Sequence, residues 1–402
     1  MFKKLVSLLL SVVMIFSFCS ISFAADSAPD AIRFSADGKL KVMHVTDTHL
    51  EAYNVDASVW AIGKACDAEK PDIVVITGDN VKNSDDPAET KMLIDKLMSV
   101  FEQRGIPVAV TFGNHDSESG AMSREELMAY YNTYSCSLSV DDGEALTGCG
   151  TYNIPVLASD SDKVKFNIWV FDSNDYDENG NYACVMPDQI EWYKQTSDAL
   201  KAANGGEKVY SLAFQHIIVP EIYDVLEKTE DGSNPLFSFK RIYVDGEYYR
   251  FDPENTNFGS LNEKPCSGYE NYGQFDAMVE KGDVLAVFSG HDHTNAFGVR
   301  NQGIDIVNSL STRYNGDRYS TMYGYRIIEV DENDTSVYTS KSVHWYDFFT
   351  LEDVADCAKS GDNFGVKTTL GIVFGGFFQK AIMFVYRSFG AIVTGRQIVY
   401  PD

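Results

Sequence analysis

From Lys39 onward, short apolar runs alternate along the chain with longer stretches of helical period. Leu40–Thr46, Asp72–Thr77 and Ile106–Phe112 are β-branched and bounded by Gly, Pro or Asp, which reads as buried strands. Helical stretches near Val55–Lys70 and Pro87–Arg104 separate them, giving a βαβαβ pattern whose strands end on one edge. Further strands are expected at Lys165–Phe171, Val209–Phe214 and Asp283–Ser289. Ile304–Asn308, Tyr323–Val330 and Ser336–Trp345 close the series, the last two joined by the acidic turn Asp331–Asp334. The expectation is an α/β fold, a two-sheet sandwich with helices outside. Residues 117–163 and 225–273 are rich in Gly, Asp, Asn and Tyr and lack long apolar periodicity. They are expected to leave the strand tips as loop insertions, where the organic part of a ligand would be read.

The polar residues that terminate these runs change the picture from packing to chemistry. Successive strands end at Asp47-Thr48-His49, Gly78-Asp79-Asn80, Gly113-Asn114-His115-Asp116, Asp172-Ser173, Gln215-His216 and Gly290-His291-Asp292-His293. Side chains at such carboxyl ends point into the crevice where α/β sheets bind ligands. Of seven histidines, five occupy these tips, while His44 lies mid-strand and His344 near the last strand. Nitrogen and oxygen donors without thiolate suit Mn, Fe or Zn in divalent or trivalent form. Asp47, His49, Asp79, Asn114, His216, His291 and His293 are too many ligands for one ion. They suit two ions bridged by a carboxylate, the arrangement that clamps the attacking and leaving oxygens of phosphoryl transfer.

Taken in order, Asp47-x-His49, Gly78-Asp79-Asn80, Gly113-Asn114-His115-Asp116, His216 and Gly290-His291-Asp292-His293 resemble the five motifs of the calcineurin-like metallophosphoesterases. The resemblance covers about residues 39–345. Phe112–Glu118, Phe214–Glu221 and Asn271–Phe275 are similar to a branch related to the purple acid phosphatases. The purple enzymes carry Gly-Asp-x-x-Tyr with a tyrosine on ferric iron, and here that position is Lys82, so the colour is not implied. The resemblance implies an α/β/β/α sandwich holding one ion by Asp47, His49 and His293 and a second by Asn114, His216 and His291, with Asp79 bridging. It further implies that a water activated by the ions attacks the phosphorus of a monoester or diester. His115 would contact the phosphate or protonate the leaving group, oriented by Asp116; the alternative for Asp116 is a turn cap. Asp292 reads as a supporting residue. The alternative function is a non-catalytic envelope or ligand-binding protein on the same fold.

Charge and the chain ends refine this reading. A formal net charge of −26 argues against a nucleic-acid partner and makes bound cations the means of attracting a phosphate. Lys3 and Lys4 followed by the apolar run Leu5–Phe23 and small residues near Ala24 predict a signal peptide over residues 1–25, with an uncleaved anchor as the alternative. A secreted or extracytoplasmic location follows, with the phosphoesterase domain over 26–350. Outside the cytoplasm the six cysteines left after Cys19 can form disulfides, Cys136 with Cys149 being the first expected pair. Residues 351–402 form a C-terminal extension in which Leu370–Val393 is apolar with a stripe including Gln379, Lys380 and Arg387. It can be a packed helix, an interfacial amphipathic helix meeting a membrane or envelope, or a spanning helix. A lysine near a bilayer centre costs about 2.5–3.5 kcal/mol, which weighs against spanning.

Overall fold

The computed structural model describes residues 31–118, 120–141, 145–230, 238–252, 254–314, 323–350, 352–353, 381 and 398–399. The expected signal peptide, and Leu370–Val393 apart from residue 381, lie outside the described residues. Among those described, no helix is long and apolar enough to cross a membrane.

Two sheets stack face to face. The first is ordered β15-β14-β1-β2-β3, with β1 Lys39–Val45, β2 Ile73–Thr77 and β3 Val108–Thr111 parallel and β14 Gly324–Asp331 and β15 Asp334–His344 antiparallel at one side. The second has eight strands. β5 Val164–Val170, β6 Ser211–Phe214, β11 Val284–Ser289 and β13 Ile304–Asn308 run parallel in its centre. β12 Ala296–Asn301 and β10 Thr256–Ser260 continue one side, and β4 Tyr152–Leu157 closes the other.

The alternation of side chains along each strand divides the apolar residues among three layers. Leu40, Val42, Ile73 and Val75 face the second sheet and meet Ile168, Leu212, Phe214 and Phe288. Met43, Val45, Val74 and Ile76 face outward under the helices α1 Val55–Glu69 and α2 Pro87–Glu102 and the shorter α3 Arg124–Tyr131. Trp169, Ala213 and Val287 pack beneath α4 Pro187–Ala203 and α5 Gln274–Lys281. The helices therefore cover both outer faces, the α/β/β/α arrangement expected, and each central parallel strand delivers its carboxyl end to one rim.

Both stretches read as loop insertions hold regular structure. Within 117–163, Ser123 and Glu126 form a reciprocal cap that starts α3, and β4 pairs with β5 along the sheet edge. Within 225–273, β7 Leu226–Thr229, β9 Tyr248–Phe251 and β8 Phe239–Lys240 make a separate three-stranded sheet, whereas β10 joins the large one. Cys136 and Cys149 are both free thiols rather than the expected pair. The Cys136 carbonyl accepts from Val108 at the start of β3, while the Cys149 N–H lies on the Asp172 carboxylate beyond β5. The strand Ile398–Val399 (β16) pairs with Gly259–Ser260 of β10, so the end of the chain returns to the large sheet.

Candidate metal centre

At the rim the tips are stitched to one another by backbone bonds. Asp47 N–H donates to Gly78 O at 3.0 Å and His49 N–H to Asp79 O at 2.9 Å, joining β1 to β2. Gly290 N–H donates to His216 O at 3.1 Å within the second sheet, and His291 N–H donates to Asp47 Oδ2 at 2.9 Å, binding the two sheets together. Asp47, His49, Asp79 and His291 all have left-handed backbones, with φ of 52°, 41°, 51° and 70°. Non-glycine residues avoid that region, and its concentration on four candidate ligands marks strain held at a functional site. Gly113 is a glycine because of close approach. A Cβ there would lie 2.3 Å from Asp79 Oδ1 and 2.7 Å from His216 Nε2.

The side chains form two groups that share one member. Ligand atoms of Asp47, His49, Asp79 and His293 lie within 4.8 Å of one another, as do those of Asp79, His216 and His291. Asp47, Asp79, His216 and Asn114 each use one polar atom to fix themselves and turn the other toward the common space. Asp47 Oδ2 accepts from Thr46 Oγ1 and His291 N–H, leaving Oδ1. Asp79 Oδ1 accepts from His115 N–H at 2.9 Å, leaving Oδ2. His216 Nδ1–H donates to Thr77 O at 2.8 Å and Asn114 Nδ2 to the Tyr176 hydroxyl at 2.8 Å, leaving Nε2 and Oδ1. Asp47 Oδ1, Asp79 Oδ2, Asn114 Oδ1, His216 Nε2 and His291 Nε2 are thus buried without a hydrogen-bond partner. A buried unpaired polar atom costs about 1–3 kcal/mol, so five together at one rim fit a cation as their common partner. His49 Nε2 and His293 Nε2 face each other at 2.9 Å.

The charges agree with that reading. Burial pushes both carboxyls up, but the imidazoles around them outweigh it, holding Asp47 and Asp79 below the usual carboxylate range. Burial presses His49 down to about 4 and His291 to about 3, so both are neutral, lone-pair donors at neutral pH.

A family model described as calcineurin-like phosphoesterase matches residues 40–295. The chain belongs to this family. It is 28% identical over 352 residues, 78% of this chain and 81% of the other, to an Arabidopsis thaliana protein named probable inactive purple acid phosphatase 14. It is 24% identical over 353 residues, 79% of this chain and 56% of the other, to the Saccharomyces cerevisiae phosphatase DCR2. A dimetal phosphatase of Danio rerio matches in structure with a TM-score of 0.47 at 11% identity, covering 76% of this chain and 99% of that one.

Around the family motifs the structure rearranges one expected role and adds others. Asp116 was expected to orient His115. Its carboxylate instead accepts from the backbone of Gly113, Asp79 and Asn80 at 2.7, 2.7 and 2.9 Å, stapling the β2 tip to the β3 tip as a turn cap. The turn carries consecutive side chains in different directions, so Glu118, three residues on, reaches the His115 Nδ1. Glu118 also accepts from the Tyr176 hydroxyl. Arg124 of α3 is part-buried and clamps the same loop, with Nη1 2.8 Å from both oxygens of Asp172 and Nη2 2.8 Å from Gly113 O. Glu118, Tyr176 and Arg124 were not candidates from sequence, where Glu118 entered only as the end of the Phe112–Glu118 stretch and Asp172 as a polar strand tip.

Asp292 accepts from Cys266 N–H at 3.2 Å and Asn295 Nδ2 at 3.3 Å, and burial with the nearby Glu263 charge pushes it up to about 8. It therefore braces the loop between His291 and His293. Lys82, at the position of the purple enzymes' tyrosine, is exposed and lies 3.6 Å from Glu51.

Proposed function

We propose that this chain hydrolyses a phosphomonoester or phosphodiester outside the cytoplasm with two divalent or trivalent ions, drawn from Mn, Fe and Zn. The observation that carries the reading is the set of five buried, partnerless donor atoms shared between two ligand groups through Asp79. Asp47, His49, Asp79 and His293 would hold one ion and Asp79, Asn114, His216 and His291 the other. Ions held there would supply Lewis-acid charge to the phosphoryl oxygens and lower the pKa of water toward ~7.

The chain's own residues do the rest. His115 is half exposed on the rim, with Nε2 4.0 Å from Asp79 Oδ2, and so meets a phosphate bound over the centre or gives its proton to the departing oxygen. Arg124 keeps the Gly113–Asp116 turn in register, and His216 is locked by Thr77 so that Nε2 faces inward. The test is metal analysis of the purified protein together with hydrolysis of p-nitrophenyl phosphate and bis(p-nitrophenyl) phosphate, with and without chelator. Chelator-sensitive release of nitrophenolate with about two ions per chain is expected; a metal-free, inert protein overturns the reading.

A second reading is a non-catalytic binding protein on the same fold. It is favoured by the name of the Arabidopsis relative, which calls that protein inactive. A binder has no use for a rim histidine placed to protonate a leaving group, and His115 with its carboxylate partner supports the enzyme. The extracytoplasmic location rests on Lys3, Lys4 and the apolar run after them, and envelope contact on Leu370–Val393.

A further inference from the structure

We propose that the Tyr176 hydroxyl is a positioning group that sets the direction of the Asn114 amide, with Glu118, whose other oxygen holds the His115 Nδ1–H, as the origin of that polarity. The proposal rests on the phosphoesterase reading for its kinetic consequences, but not for its consequence on metal binding.

The argument runs from one acceptor. An ionised carboxylate can only accept hydrogen bonds, so both contacts of Glu118 have a fixed direction. Its Oε2 takes the Nδ1–H of His115, which leaves Nε2 as the nitrogen turned toward Asp79 and His49. Its Oε1 takes the Tyr176 O–H, which leaves the phenol oxygen free only to accept. A phenol holds its proton at neutral pH, so the hydroxyl remains the donor to Glu118. An oxygen that can only accept must face the Asn114 amide through its Nδ2, at 2.8 Å. Asn114 Oδ1 is then the atom aimed at the ligand groups, and it is buried without a partner. Were the tyrosine hydroxyl absent, nothing in this chain of bonds would choose between amide oxygen and amide nitrogen. An N–H turned inward would repel a cation.

Tyr176 is itself anchored independently of its hydroxyl. Its ring stacks on Tyr182 with centroids 5.6 Å apart, and the Tyr182 ring meets His291 edge-on at 4.4 Å. The Tyr176 N–H donates to Asp175 Oδ1 at 2.7 Å, and Asp175 Oδ2 accepts from Ser117 Oγ at 2.8 Å in the loop that carries Asn114 and His115. Removing the oxygen alone therefore leaves the ring in place.

Tyr176→Phe is the test. Titration of metal-stripped protein with Mn²⁺ should show one ion bound as in the parent and the other about 10–100-fold more weakly, the usual effect of losing a ligand's hydrogen-bond partner. At saturating metal, kcat on p-nitrophenyl phosphate should fall while KM changes less than about twofold. Glu118→Gln, which can no longer accept at both ends, should reproduce the weakened second ion, and the double variant should lose no more than the worse single one. Wild-type affinity for both ions in Tyr176→Phe and in Glu118→Gln, or additive losses, overturns the proposal. If the parent binds two ions but hydrolyses no ester, the phosphoesterase reading fails while the titration still decides this one.

Discussion

His44 and His216 are both fully buried, both on the inner side of a parallel strand or just past its end, and they behave oppositely. His44 lies between the sheets with Nδ1 2.8 Å from Ser309 Oγ and Nε2 2.8 Å from Thr77 Oγ1, both ring nitrogens satisfied. Burial, aided by the charge of Arg326, depresses it to about 3. His216 satisfies Nδ1 on Thr77 O and leaves Nε2 without a hydrogen bond, 3.4 Å from Asp79 Oδ2. Burial works against its charged form too, yet Asp79 and Asp47 outweigh it and raise it to about 9. Neither burial nor residue type marks a site. What marks it is unmatched valence in a place that calls for positive charge.

The strongest break of this comparison is Asp79→Asn. Asp79 belongs to both ligand groups, so the variant is expected to lose metal at both positions and activity with it, by more than the ~10²–10⁴-fold of a general acid. Metal analysis alongside turnover checks this, and full occupancy would remove the bridging role. His44→Leu is the contrasting change. It should leave metal content and kcat within about twofold but cost roughly 1–3 kcal/mol for each hydroxyl left unpaired at Ser309 and Thr77, read as a lower melting temperature.

The two buried histidines also separate in pH. A histidine whose folded pKa of about 3 lies below its unfolded value near 6.5 binds more protons when unfolded, so its share of stability is full above 6.5 and drains as pH falls toward 3. His44→Leu should lose about 1.4 kcal/mol less per pH unit than the parent across that window. Parallel stability curves for the two proteins would mean that His44 is not held neutral by the fold.

His115→Ala sharpens the comparison from the other side, because His115 stands on the rim and holds no place in either ligand group. Both ions should remain, while kcat falls by about 10²–10⁴-fold, less on nitrophenyl than on alkyl esters. Equal losses on the two kinds of ester would assign His115 to binding the phosphate instead.

The legible part of this molecule was the part written locally. β1, β2 and β3 announced themselves as β-branched runs, and their tips as polar clusters in order. Elements whose pairing is distant were not legible. β4 carries Pro155 and alternates with partly exposed residues, as an edge strand does, and β8 has two residues that find a partner only in three dimensions. In the site, adjacency misled at Asp116, where the turn sends neighbouring side chains to different partners. Arg124 grips Asp172 across 48 positions, a separation no spacing rule reaches.

The smallest effect belongs to Lys82. It stands where the purple enzymes place a metal-binding tyrosine, but here its side chain is exposed and its contact with Glu51 is a 3.6 Å surface pair, worth about 0–1 kcal/mol. His49, already among the ligand atoms grouped with Asp47 and Asp79, supplies a nitrogen to the same group. Lys82→Ala is therefore expected to leave metal content, turnover and melting temperature nearly unchanged, and the iron-loaded protein to lack the visible band of a phenolate on iron. Among the described residues Tyr176 and Tyr182 are phenols near the centre, and both are engaged, one in hydrogen bonds to Asn114 and Glu118 and the other stacked on Tyr176 and edge-on to His291. An intense visible band that survives Lys82→Ala and disappears in Tyr176→Phe would show that this phenol has moved from holding Asn114 to binding the ion itself, and would reverse the order of roles argued for that side of the rim.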